Sequence, residues 1–162
     1  MGHYENQGGH VEYYTPKYIF DAMNVTFDLD VAHPADFHTH VPCKEFFSDG
    51  SLEKKWNGFI WMNPPYGNEK NKALWIQKFI EHGNGISLMP DRTSATWWQI
   101  FSEGCDLHGF TFDKIKFELS DGTIAYSPGS GNTFFAIGGQ AMDALMNLRK
   151  NNLVHVYQKL NN

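Results

Sequence analysis

Four consecutive residues, Asn63-Pro64-Pro65-Tyr66, carry the most chemistry in this chain. Asn63 brings a side-chain amide oxygen and Pro64 a main-chain carbonyl, two acceptors able to take both hydrogens of one NH2 group. A ring-bound amine is a poor nucleophile, because its lone pair is delocalised into the ring. Holding its hydrogens on two aimed acceptors favours the pyramidal nitrogen that attacks a methyl group, a transition-state effect of fixed dipoles. The prolines lock φ, so the acceptors are placed before a substrate arrives. Tyr66 adds a ring on which a flat base can stack. The set suits methylation of a planar amino group.

Such a tetrapeptide needs a rigid edge to stand on. Gly58 to Met62 is an apolar run that stops at the two prolines, which cannot donate to a central ladder, and it reads as a buried strand. Ligands of open α/β sheets bind beyond the carboxyl ends of the strands, where Asn63 to Tyr66 would sit. Asn71 to His82 has a helical apolar face of Trp75, Ile76, Phe79 and Ile80. Gly85 to Met89 predicts a second strand ended by Pro90. Ser94 to Glu103 predicts a second helix stopped by Gly104, with one of Trp97 and Trp98 in the core and the other exposed. This alternation implies parallel strands joined by crossover helices. Upstream, Met1 to Tyr14 reads as a flexible arm, and Thr15 as the N-cap of a helix with Pro16 at its first position. Phe27, Leu29 and Val31 alternate with Asp28 and Asp30 as a short strand, and Ala32 to Asp49 is irregular. Downstream, Leu107 to Phe112, Lys114 to Leu119 and Thr133 to Gly138 predict strands around turn signals, an antiparallel C-terminal hairpin. Ala141 to Arg149 is a short helix, and Leu153 to Leu160 fits strand or helix. The 162 residues suit one domain, from 15 to 162, behind the arm of 1–14.

Composition narrows the chemistry. The formal net charge of −5 excludes a strongly basic nucleic-acid clamp, though not a local cationic stripe. No apolar run is long enough for a membrane helix, and no apolar signal core precedes residue 10. Two cysteines, Cys43 and Cys105, make no disulfide framework and fit a reducing cytoplasm. His33, His38, His40 and Cys43 have the types of zinc ligands. No second cluster accompanies them, so a polar loop is the simpler reading and no metal is expected.

Several stretches, in order, resemble the phage-type DNA N6-adenine methyltransferase family, the Dam-like enzymes of bacteriophages and prophages. They are Tyr14-Thr15-Pro16-Lys17, Phe27-Asp28-Leu29-Asp30-Val31-Ala32, Asp49-Gly50-Ser51-Leu52 leading to Trp56, and Trp61 to Gly67. Leu88 to Thr93 with Trp97-Trp98 and Lys114-Ile115-Lys116-Phe117 complete the set, which spans Tyr14 to Gly138. The resemblance implies a Rossmann-like fold using S-adenosylmethionine, with DNA as partner, in the cytoplasm of a bacterium or a phage-infected host. It implies catalytic roles for Asn63, Pro64, Pro65 and Tyr66. By the same resemblance Thr15, Pro16, Asp28, Asp30, Ala32, Asp49 and Asn63 serve the cofactor: Thr15-Pro16 against its methionine part, Asp28 and Asp30 near its amino group or ribose, and Asp49 at its adenine amine.

One departure shapes the expectation. The family of folds often carries a glycine-rich loop after the first strand, whereas Asp30-Val31-Ala32-His33-Pro34 has no glycine. Asp30 and Asn63 lie 33 positions apart, too few for two further strand–helix units, so the cofactor half of the sheet should be abbreviated. For DNA contact the candidates are Arg92, Lys114, Lys116 and Asn132, the lysines alternating on one strand face and Asn132 closing a polar loop. No recognition domain fits the length, so specificity is short or is supplied by a homodimer. Two rivals stay open: an RNA or protein amino methyltransferase with the same tetrapeptide, and a non-catalytic nucleic-acid or cofactor-binding module.

Overall fold

The computed structural model describes residues 13–35, 39–65, 67–125 and 129–159. Its elements run α1 (Lys17–Met23), β1 (Phe27–Asp30), β2 (Cys43–Phe46), β3 (Ile60–Met62), α2 (Glu69–His82), β4 (Gly85–Pro90), α3 (Thr96–Gly104), β5 (Leu107–Thr111), β6 (Asn132–Ile137), α4 (Gly139–Lys150) and β7 (Val154–Tyr157). Seven strands form one sheet in the order β2-β1-β3-β4-β6-β5-β7. The β2-β1-β3-β4 half is parallel, and β6 is antiparallel to both β4 and β5. This is a mixed α/β fold, with the expected helix α2 crossing between parallel β3 and β4.

Apolar cores cover both faces of the sheet. Ile19, Phe20 and Met23 of α1 and Ala141, Ala144, Leu145 and Leu148 of α4 pack with Trp61, Leu88 and Phe134. Ile76 and Phe79 of α2 and Trp97, Trp98 and Phe101 of α3 pack with Ile60, Met62 and Phe135 on the other face. The alternation along β3, β4 and β6 therefore sets which layer each side chain joins. Gly104 lets the end of α3 close onto α2, since a Cβ there would stand 2.5 Å from Ile80 Cδ1.

Several expectations change. β2 falls in the stretch read as irregular; Lys44, Glu45 and Phe46 are exposed on this edge strand, so it lacks an apolar signature. Lys114 to Leu119 is no regular strand. Ile115 and Phe117 are buried and Lys114 and Lys116 exposed, but the segment makes only isolated bridges, from Glu118 to Tyr14 and to Ile124. The alternation was real, and it serves packing rather than a ladder. Trp97 and Trp98 are both buried, at 6% and 5% exposure. Trp98 stacks on Phe110 and donates its indole N–H to the Thr133 hydroxyl at 3.2 Å. Thr15 is not the cap of α1: Pro16 takes that position, and no side chain caps the helix. Leu153 to Leu160 resolves as β7 over its described part. Tyr14, assigned to the arm, is buried and exchanges two 2.9 Å main-chain hydrogen bonds with Glu118. Residues 1–12 of that arm lie outside the described residues.

Candidate active site

The carboxyl ends of β1, β3 and β4 meet at one edge of the sheet, because these strands are parallel. Asp30 pairs in register with Trp61, so the two share a face. Asn63, two positions beyond Trp61, returns to that face as the chain leaves β3. Across the sheet, Asn132 pairs with Pro90, and it precedes by two the Phe134 that packs in the same core as Trp61. Asp30, Asn63 and Asn132 thus belong to one face at one edge, the face on which α1 lies.

Asn63 is partly exposed, Pro64 buried and Pro65 exposed. The Asn63 amide nitrogen donates to the Thr15 hydroxyl at 3.4 Å. Thr15 is buried, and with Pro16 in the capping position its hydroxyl serves Asn63 rather than the helix. The bond turns the nitrogen end of the amide toward the start of α1 and the oxygen away from it. Tyr66 lies outside the described residues, as does His38.

The two acids of β1 have different surroundings. Asp28 accepts from Lys44 Nζ at 2.7 Å and from the Phe59 amide at 2.8 Å. The lysine hydrogen bond first, then the amide, holds its carboxyl below the usual range. Gly58 makes this possible: with φ +71°, it keeps clear a position where a Cβ would stand 2.3 Å from Asp28 Oδ2. Asp30 is 2% exposed, and burial pushes its carboxyl up to about 7. Among the described residues its side chain takes one hydrogen bond, from the Ala32 amide at 3.1 Å. The separation arises because the amides of Asp28 and Leu29 both donate to the Phe59 carbonyl, at 2.7 and 3.4 Å. That local slip breaks the strict alternation, so Phe27 packs in one core and Leu29 in the other.

The remaining candidates are spread out. Asp49 follows β2, and its side chain is 88% exposed and paired with Lys54 at 3.0 Å. Arg92 is exposed just after β4. Lys114 and Lys116 are exposed on the segment that crosses between β5 and β6. Asn132 is a strand residue rather than a loop one, 3% exposed, with its amide nitrogen 3.4 Å from the Met89 carbonyl and its oxygen without a hydrogen-bond partner among the described residues. Sequence reasoning passed over Phe46, whose 56% exposed ring ends β2 and stacks on His33 at 4.2 Å. An exposed aromatic at a strand's carboxyl end is a stacking surface, and the only sequence signal was Phe46-Phe47 in a polar stretch. No group of three or more metal-ligating side chains converges among the described residues. Two grooves, of about 610 and 540 Å³, lie along α2 against Trp56 and against Trp97, and Asp30 lines neither. The chemistry concentrates instead at the open sheet edge.

A family model described as DNA N-6-adenine-methyltransferase (Dam) matches residues 9–132. The chain belongs to that family. The match takes in the Thr15 segment, both acids of β1, the Asn63 tetrapeptide and the start of β6, so every residue of the shared edge lies inside it. Neither a curated protein nor a solved structure matches the chain. No helix among the described residues is long and apolar enough to cross a membrane.

Proposed function

We propose that this family member transfers a methyl group from S-adenosylmethionine to the N6 amine of adenine in DNA, on a Rossmann-like sheet whose cofactor half is shortened. The observation that carries the reading is the placement of Asp30 and Asn63 on one face, at the carboxyl ends of adjacent parallel strands. The donor side would be β1 and β2, the acceptor side Asn63 to Tyr66.

The residues present suit the cofactor. A buried carboxylate with one protein donor is a costly arrangement unless a cationic or hydroxyl-bearing ligand completes it. Asp30 would take the cofactor's ammonium or ribose hydroxyls, with the Thr15-Pro16 segment beside it, and the exposed Phe46 ring would face its base. Asp49 can reach an adenine amine only by leaving Lys54. Asp28 would act at one remove, fixing the Phe59 amide and hence the end of β1. When bound, the cofactor supplies a methyl group carried on a cationic sulfur.

On the acceptor side the target base must leave its stack to reach the edge. There Asn63 Oδ1 and the Pro64 carbonyl would hold the two amine hydrogens, and Tyr66 would stack on the ring. Thr15 pins the other end of the Asn63 amide, which spares the site the cost of ordering it during the reaction.

The test is product identity. Adenine-containing DNA, the protein and methyl-labelled S-adenosylmethionine are incubated, and the DNA is digested to nucleosides. Label in N6-methyl-2′-deoxyadenosine is the expected result. Label in methylated cytosine, or in RNA or protein substrates instead of DNA, would replace this reading with the matching amino methyltransferase. Cofactor-free DNA binding without transfer would make the chain a binding module.

A further inference from the structure

The chain carries a net −5 charge, and several of its cations are already committed within the fold. Lys17, Lys44, Lys54 and Lys159 are taken up in ion pairs with Asp21, Asp28, Asp49 and Glu103. Lys78 spends its ammonium on the carbonyls of Leu52 and Lys54, at 2.7 and 2.6 Å. Lys70, Lys72 and Arg92 make no ion pair among the described residues; Lys55, Lys114, Lys116, Arg149 and Lys150 make none either, but only the first three lie on the connections that follow β3 and β4. Lys70 and Lys72 occupy the second and fourth positions of α2, which begins six residues after Asn63. Arg92 lies two residues beyond the end of β4, the strand next to β3. Both connections leave the sheet at the same carboxyl edge.

We propose that Lys70, Lys72 and Arg92 form a rim that binds the DNA phosphates on either side of the nucleotide entering the Asn63 site. The inference rests on the DNA methyl-transfer reading and adds the surface that holds the substrate. The positions are poor ones for stability alone. A helix start carries partial positive charge, so cations there oppose the macrodipole, and only Glu69 offsets them. An external anion resolves that conflict. The rim is also spaced by the protein: Lys72 Nζ lies 5.7 Å from the centre of the buried Trp97 ring, tying the start of α2 to the start of α3 beside Arg92. Asp91, the nearest acid to Arg92 in the chain, has its Oδ1 3.5 Å from the Thr133 hydroxyl, and its amide donates to the Gly131 carbonyl at 2.9 Å. A nucleotide whose base reaches Asn63 must pass its own backbone over this edge. Its two flanking phosphates then meet cations from the two connections that border the tetrapeptide.

The experiment measures affinity for an adenine-containing duplex against salt, with S-adenosylhomocysteine present. Lys70→Gln, Lys72→Gln, Arg92→Gln and the triple variant are compared with wild type, and with Lys55→Gln as an exposed control beside the far half of α2. Each rim change should reduce the salt slope by about 0.9, the triple by nearly three, while Lys55→Gln changes nothing. Neutral methylphosphonate links on both sides of the target adenine should weaken wild type at least tenfold and leave the triple variant unaffected. Unaltered cofactor binding in each variant shows that the fold is kept. Wild-type slopes in the triple variant, or equal sensitivity of both proteins to the neutral links, overturn the rim while leaving methyl transfer standing. A wild-type protein that binds cofactor but no DNA removes both.

Discussion

If Asp30 holds the cofactor as proposed, its burial ties binding to pH in a way that can be worked out beforehand. Its carboxyl titrates near 7 rather than 3.8 because it is buried with one amide donor. If it must be ionised to hold the ligand's ammonium, the measured affinity is the intrinsic affinity times the ionised fraction. At pH 5 that fraction is about 1 in 100, so affinity should fall about 100-fold from its high-pH level, about 2.7 kcal/mol. The upper limit of the window is about 8, where the ligand's own α-amino group loses its proton. Cys43, the nearest titrating neighbour, stays neutral throughout, since burial and the Asp30 charge both push its thiol up. The sign for the unliganded protein is opposite. A carboxyl whose folded value is raised contributes stability that is fully present below 3.8 and lost as pH rises to about 7, on the order of 4 kcal/mol in all. Calorimetric titration with S-adenosylhomocysteine from pH 5 to 7 should therefore show affinity rising about 50-fold, by nearly tenfold over the first unit and about fivefold over the second, while thermal stability without ligand declines. Asp30→Asn should flatten both profiles and bind weakly at every pH. An affinity that is flat from pH 5 to 7, or an Asn variant that keeps the wild-type slope, refutes the assignment of Asp30 to the ligand.

Asn63→Ala should lower the methyl-transfer rate by about 10²–10³ with a much smaller change in S-adenosylhomocysteine affinity, since one of two amine acceptors is lost; near wild-type turnover would remove it from the reaction. Ser87 is fully buried with no partner for its hydroxyl among the described residues, so Ser87→Ala should leave stability unchanged or raise it by about 1 kcal/mol in denaturant titration. Gly58→Ala should cost about 2 kcal/mol or more, because the new Cβ meets the Asp28 carboxylate and the backbone is left-handed there. If that variant is as stable as wild type, the Asp28–Phe59 bond is not what sets the end of β1.

The elements around the tetrapeptide were legible because apolar runs there end in proline or glycine. β3 stops at Pro64, β4 ends on Pro90, and α2 closes with Gly83 at φ +72°. β2 was not legible, because an edge strand of Cys43-Lys44-Glu45-Phe46 buries too little to show a pattern. Ile115 and Phe117 produced the pattern of a strand without its hydrogen bonds, since burial alone decides which residues are apolar. At the site, Asn63 could be found from residue type. The difference between Asp28 and Asp30 could not, as acids two apart in a strand are expected to share surroundings. What separates them is a slip in main-chain hydrogen bonding at Phe59, and sequence periodicity does not report it.

The pairing of Tyr14 with Glu118 has a consequence in time. Tyr14 leaves the ribosome well before its main-chain partner, which is synthesised 104 residues later. At about 5–20 residues per second, that is a wait of roughly 5–20 s. Until then Thr15, next to Tyr14, has no anchored position from which to hold the Asn63 amide. The parallel strands and α2 can assemble earlier from nearer contacts, whereas the edge that carries Asn63 closes only when the segment carrying Glu118 has emerged. A nascent chain halted before that point would hold the tetrapeptide and Thr15 but not the bridge that anchors Thr15 beside it, so the edge is not fixed until Glu118 is made.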